Sequence, residues 1–541
     1  MGLSDITLKD YDTVVAVTQD AVNEELADFL DGLQKQVALY YAYDSSGNMI
    51  EVSEDQATVI FTGTLDYALD DDGNPVDIVT LYTEKGNQTV AYNITFSNAT
   101  FQVKPFGINI TQAPGATWII QFNVDLNLQP SNIDDLPANV RTAYQTYVND
   151  LGPDAFSVQQ LYTDLNFAYF AQFVGIEGLP DLAQSILQTL MQLYLAGVQQ
   201  QGGLIFGYTL QALSSETAAP TFMPTALDFC VTPYTDSSGN HSDHGLDTLN
   251  YLVMTGDNPL PPYPPTSFPF NWVDDDSVAG AVAIGRDLIV GHIVNQLNPI
   301  LTPLCPVVSV TADGNGTSIQ LTGGSAQSFN IASAGSQVAS FSYVSNPPQA
   351  SWHDWDYEVT NTASASYSMS CNITAAGNTI TLSGSITASA STNDQSGGAN
   401  VATTMPSTTF NWSVDLVLTT DLTTNGQLDL DIANADFDGP PSVSGEDASW
   451  WQQFLNGLGG YWTTYADNLQ GVRDQVSSVL VNLQPQLQAL LAPTNDFVFP
   501  GANTFLFSNP QFSNCCDLVA DTAYLAPSQP ASVAPKLART A

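Results

Sequence analysis

Apolar and polar positions along the chain follow two different periods, and the longest regular stretch is residues 159–195. Leu161, Leu165, Tyr169 and Phe173 recur there every fourth position. After Gly178-Leu179-Pro180 the stripe resumes at Leu182, Ile186, Leu187, Leu190 and Leu193. Apolar residues at i, i+3 and i+4 predict a helix that buries one face, here a long helix interrupted at the Gly-Leu-Pro step. Residues 452–491 repeat the pattern. Without a gap, Gln159, Gln160, Leu165, Gly178, Asp181, Ser185, Leu187 and Leu190 fall on Gln452, Gln453, Leu458, Gly471, Asp474, Ser478, Leu480 and Leu483.

The flanks repeat in kind. Residues 11–33 predict a first helix with Val22, Leu26, Phe29, Leu30 and Leu33 on its apolar face. Residues 40–128 change to alternating or β-branched runs separated by turn signals at Asp71-Asp72-Gly73-Asn74 and Lys85-Gly86-Asn87, which predicts an antiparallel meander. Residues 133–149 read as a short helical piece, and 204–254 return to strands. The proline-rich segment 259–269 reads as a linker. Beyond it, residues 279–297 align with the first helix, Val282 on Val15, Asp287 on Asp20 and Leu297 on Leu30. Serine- and threonine-rich strands fill 307–437, a second long helical region starts at Ser449, and residues 516–525 echo 245–252. The order helix, strands, long helix, strands is thus written twice at similar separations, and predicts an internal duplication. The expected modules are 1–258 and 271–541, joined by a linker at 259–270.

A long helix with a wide apolar face must bury it, and a curved antiparallel meander with one apolar face can wrap it. A sheet rolled around a helix that does not fill the interior leaves a tube with apolar walls. The segments YDTVVAVTQDAVNEELADFL (11–30), FNWVDDDSVAGAVAIGRDLIVGHIV (270–294) and TFLFSNPQFSNCCDLVADTAYL (504–525) resemble the TULIP superfamily. They are most similar to the TULIP-type proteins encoded beside botulinum neurotoxins and in insecticidal toxin clusters. The resemblance covers about a fifth of the chain. It implies tubular lipid-binding domains and a role accessory to a protein toxin. The fold class expected is therefore α+β, with tandem TULIP-like modules, each a curved antiparallel sheet wrapped around a long helix.

Composition narrows the partners. The chain has 541 residues, is 44% hydrophobic and only 12% charged, which fits folded domains rather than disorder. The net charge of -45 comes from 54 acidic residues set against only 9 Lys and Arg. Such a shortage of cations argues against binding nucleic acid or anionic head groups. Secreted lipid-binding TULIP proteins carry a signal peptide and more basic residues, so this departure argues against lipopolysaccharide-type head-group recognition. Residues 1–12 show neither a basic n-region nor an apolar h-region, and no apolar run is long enough to span a bilayer. The expectation is a soluble protein, cytoplasmic or exported by a non-classical route, with no transmembrane segment.

Candidate chemistry is sparse. His241-Ser-Asp-His244, with Asp247 beyond, is the densest group of metal-ligand types, but its turn-like flanks read as a solvated loop. His353 among Asp354, Trp355 and Asp356 reads as a surface loop. The run beginning at Asp70 imitates an EF-hand loop but has Leu81 where a bidentate Glu is required. No G-x-S-x-G elbow or P-loop occurs. Cys515-Cys516 could be a strained vicinal disulfide, a thiol switch, or two strand or loop thiols at a domain end. The reading is of a non-enzymatic protein without metal or cofactor. It binds a lipid or other elongated apolar ligand and is a possible protein partner in a toxin complex. The expected wall residues are Val22, Leu26 and Phe29 in the first half and Ile289 and Ile293 in the second. The alternative is a structural, assembly or adhesive module with a filled core and no ligand.

Overall fold

The computed structural model describes residues 8–31, 35–66, 77–131, 156–176, 178–200, 205–212, 224–241, 244–274, 276–302, 305–394, 401–421, 427–437, 497–498 and 505–524. Its centre is an antiparallel sheet of six strands. In spatial order these are Pro224–Thr232, Thr248–Thr255, Thr13–Thr18, Gly280–Ile284, Leu518–Tyr524 and Phe505–Phe512. Three come from the first half of the chain and three from the second, and they meet where Val15 stands opposite Val282. TVVAVT and GAVAI are buried at every position, as expected of strands covered on both faces. Val15, Val17, Val282 and Ile284 point into the main core, whereas Val14, Ala16, Ala281 and Ala283 point into a second one.

The second core is closed by the proline-rich segment. Phe268 and Phe270 both meet Trp272 edge-on, with ring centroids 4.9 and 5.0 Å apart, and lie tilted against each other at 5.5 Å. Ser267 Oγ donates to the Val231 carbonyl at 2.6 Å, and Asn87 Nδ2 to the Pro265 carbonyl at 2.6 Å. Lys9 Nζ donates to the Ser267 carbonyl at 2.6 Å and lies 4.9 Å from the centre of the Phe268 ring.

Two larger sheets flank this centre. The first runs Phe497–Val498, Ile205–Ala212, Phe156–Val174, Trp118–Ser131, Thr89–Val103, Val59–Leu65, Gln36–Tyr43, Met49–Glu51. The second runs Asn330–Ile331, Gln337–Ser345, Val359–Ala376, Thr379–Asp394, Val401–Asp421, Gln427–Phe437. Along Val359–Ala376 burial alternates almost without a break. Ala363, Ala365, Tyr367, Met369, Cys371, Ile373 and Ala375 face inward, and the serines and threonines between them face outward, the period of two of a half-buried strand.

These elements correct the expected fold class. The described fold is largely β, and no long helix is wrapped by a sheet. Phe156–Val174 is a strand, and the 159–195 stretch is helical only from Asp181 onward, in a helix that runs Asp181–Gln200. The reason is arithmetic: a spacing of four is also two strand periods, so Leu161 and Leu165 share a face in either structure. The pairing with Trp118–Ser131 slips near Asn123, and Tyr169 beyond the slip is exposed. The Gly178-Leu179-Pro180 step is the junction from strand to helix, with Gly178 at φ 70°. The helix expected over 11–33 begins only at Gln19, because 13–18 is a strand. The one expected over 279–297 is likewise preceded by the Gly280–Ile284 strand and runs Arg286–Leu301. A short fully apolar run reads the same whether it is a buried strand or a buried helix turn. The helical pieces expected at 133–149 and from Ser449 lie outside the described residues.

Candidate functional site

Three helices among the described residues add apolar faces to an interior lined mostly by strands. Gln19–Asp31 follows its strand directly, and Thr18 Oγ1 caps it by accepting from the Ala21 N–H at 3.3 Å. Its polar side is tied to residues 77–81. Gln19 Oε1 accepts from the Leu81 N–H at 2.6 Å, and Asn23 Oδ1 from the Val79 N–H at 2.8 Å. Those bonds turn the opposite side inward, where Val22 and Leu26 are buried. In Asp181–Gln200 the buried stripe is Ala183, Ile186, Leu187, Leu190, Met191 and Leu195. Gln199 Oε1 accepts from the Leu165 N–H at 2.9 Å and fastens this helix to the Phe156–Val174 strand.

Arg286–Leu301 is fixed at its start by two side chains. Asp517 Oδ1 accepts from the Arg286 N–H at 2.8 Å. The Arg286 guanidinium donates to the carbonyls of Ala332, Gly335, Gln337 and Cys515 at 2.8 to 3.2 Å. Ile289 and Ile293 then point into the main core beside Val290 and Val294. Four of the five expected wall residues therefore lie in one contiguous apolar cluster, which runs from Val37 in the first flanking sheet to Leu418 in the second. The side chain of Phe29 lies outside what the structure describes. Asp517 and Arg286 gave no sequence signal beyond the rarity of basic residues.

Cys230, Cys305 and Cys371 are buried free thiols, pushed up to about 12 by burial, and are unreactive for that reason. Cys515 and Cys516 are not joined in this structure; Cys515 is exposed and Cys516 buried.

The His241 loop is folded more tightly than a solvated loop. Asp247 is fully buried. Its Oδ1 accepts from the Tyr234 N–H at 2.7 Å and lies 2.7 Å from His241 Nε2, and its Oδ2 lies 3.4 Å from His244 Nδ1. Tyr82 stacks edge-on against His241 with centroids 4.8 Å apart. Burial raises the Asp247 carboxyl above the ordinary carboxylate range, against the pull of these partners. Close by, burial pushes Asp77 up to about 6, helped by the charge of Asp20 and opposed by His244 and the Gln19 amide.

Two surface depressions stand out, and both are polar. One, of about 410 Å³, lies among Ser370, Asn372, Ser383, Ser385, Asn411 and Ser413. The other, of about 440 Å³, lies among Asn87, Gln88, Thr89, Asp125, Asn127 and Asp164. No helix among the described residues is long and apolar enough to cross a membrane.

The fold and these sites define a predominantly antiparallel β-protein built on a sheet shared by both halves of the chain. No protein-family model matches it, and no curated protein matches it significantly. Among solved structures it is similar to P47 from Clostridium botulinum A2, with a TM-score of 0.44 and 9% identity over 96% of this chain and 98% of that one. It is similar to P47 of Clostridium botulinum E1, with a TM-score of 0.43 and 9% identity over 95% and 99%. It is also similar to a lipopolysaccharide binding protein, with a TM-score of 0.29 and 10% identity over 96% and 100%.

Proposed function

We propose that this chain is a non-catalytic binding protein of TULIP type. It houses a lipid or another elongated apolar molecule in its interior and serves a toxin or secreted complex. The observation that carries the reading is the continuous apolar cluster joining both flanking sheets through the central one, with Val22, Leu26, Ile289 and Ile293 on helices that begin at the shared sheet. An alkyl chain lying along such an interior gains about 0.8 kcal/mol per CH₂ removed from water. The toxin-associated role is supported by the sequence resemblance at 11–30, 270–294 and 504–525.

The duplication belongs to the same proposal, with modules 1–258 and 271–541 joined by 259–270. Its support is the central sheet, where three strands from each half follow one another outward from the Val15–Val282 pair. A second reading, an assembly module with a filled core, is favoured by the two polar depressions. It is also favoured by the hydroxyl pairs on the outer face of the second sheet, Ser366 with Ser389 at 2.7 Å and Thr387 with Thr409 at 2.9 Å. Solvent extraction of the purified full chain followed by lipid mass spectrometry separates the two. A stoichiometric apolar molecule supports the first reading. Extracts that match a blank, from protein that also fails to take up a fluorescent fatty acid, overturn it in favour of the second.

A further inference from the structure

The His241 loop holds an arrangement that an apolar-ligand carrier does not need. We propose that His241, His244 and Asp247 form a binding site for a divalent transition-metal ion of the zinc class. Their ligand atoms, one from each side chain, lie within 4.8 Å of one another. Around a tetrahedral ion with bonds of about 2.0 to 2.1 Å, donor atoms stand about 3.3 Å apart. The His244 Nδ1–Asp247 Oδ2 separation of 3.4 Å is close to that value; His241 Nε2 sits 2.7 Å from the other oxygen, Oδ1, so a small rotation of its ring toward Oδ2 completes the cluster around the ion. Two imidazoles and one carboxylate suit zinc, cobalt or nickel better than calcium or magnesium, which take oxygen ligands.

The surroundings are those of a built site. The Tyr234 N–H holds Asp247 Oδ1 in place, leaving Oδ2 for the ion, and Tyr82 confines the His241 ring. Such outer contacts orient metal ligands. The His244 side chain is 57% exposed, which gives the ion an entry path and leaves a coordination position for water. Asp77 lies close enough for its charge to act with His244 and Asp247, and it adds to the field that draws a cation. Gly245 lies directly against the Asp20 carboxylate, where an added Cβ would sit 2.5 Å from Oδ2. The Asp247 carbonyl accepts from the Gln19 N–H at 2.7 Å, so a bound ion would steady the start of the first helix. This inference is independent of the apolar-ligand reading.

The test uses the full chain, stripped with EDTA and desalted. Titration calorimetry with ZnCl₂ is expected to show one ion per chain, and Co²⁺ is expected to give the visible absorption of a four- or five-coordinate site. His244→Ala, chosen because its side chain is mostly exposed, should weaken Zn²⁺ binding more than about tenfold with an unchanged far-UV spectrum. His353→Ala, on the second flanking sheet, should bind as the parent does. The proposal is overturned if the parent binds no Zn²⁺, if His244→Ala binds as tightly as the parent, or if excess Ca²⁺ displaces the ion.

Discussion

Arg286 is one of only 9 basic residues in the chain, yet it is 7% exposed. Its guanidinium is spent on four backbone carbonyls, those of Ala332, Gly335, Gln337 and Cys515, through five donated bonds of 2.8 to 3.2 Å. These join the 332–337 segment, the 515–517 turn and the first turn of Arg286–Leu301 at one point. Arg286→Met keeps the length and the apolar stem but removes every donor. Each carbonyl left dry costs about 1–3 kcal/mol. Water reaching the exposed edge offsets part of this, so a loss of about 3–5 kcal/mol is expected, in the range for breaking a buried polar network. Arg286→Lys keeps the charge and three donors, and its loss should be about half as large. Urea unfolding followed by tryptophan fluorescence and far-UV circular dichroism gives both values. A methionine variant within about 0.5 kcal/mol of the parent, or one no less stable than the lysine variant, would refute the reasoning.

The pH dependence follows from two buried carboxyls. Burial raises Asp517 to about 6 despite Arg286, and Asp77 to about 6 despite Gln19 and His244. Between the unfolded value of about 4 and the folded value, the folded chain holds more protons, so each group's stabilising contribution is present at low pH and falls away as pH rises to about 6. The expected loss is up to about 3 kcal/mol for Asp517 and less for Asp77, which is more exposed. Urea midpoints measured from pH 4 to 7 with EDTA present should flatten over that range in Asp517→Asn and Asp77→Asn; variants with the parent's slope contradict the assignment. Gly280→Ala should cost at least about 2 kcal/mol, because a Cβ there meets the Ala16 carbonyl across the central sheet and backbone cannot yield. An unchanged thermal midpoint for that variant would mean the two central strands can separate without loss.

Local pattern found many of the buried residues, though not all, since Tyr169 and Leu182 of the expected stripe are exposed, and it found less often the element that holds them. The alternation in 359–376 reads directly as a half-buried strand, and Ile186, Leu187 and Leu190 read directly as a helix face, because each fits one period only. Leu161 and Leu165 fit both periods, and TVVAVT and GAVAI fit neither, so pairing partners decided them. Thr13–Thr18 is a strand because Thr248–Thr255 and Gly280–Ile284 lie on either side of it, and those partners are hundreds of residues away in sequence. The alignment of Val15 with Val282 was legible in the letters; that the two stand opposite each other in one sheet was not.

The same division holds for the sites. His241, His244 and Asp247 are conspicuous by residue type, but only the fold buries Asp247 and sets both imidazoles on its two oxygens. Burial of a carboxylate is a property of the surrounding packing, which short-range spacing does not encode. Arg286 and Asp517 are joined purely by tertiary structure, through a hydrogen bond across 231 residues of chain. Composition determined that cations would be scarce; the fold decided that one of them would be placed in the interior to hold backbone together.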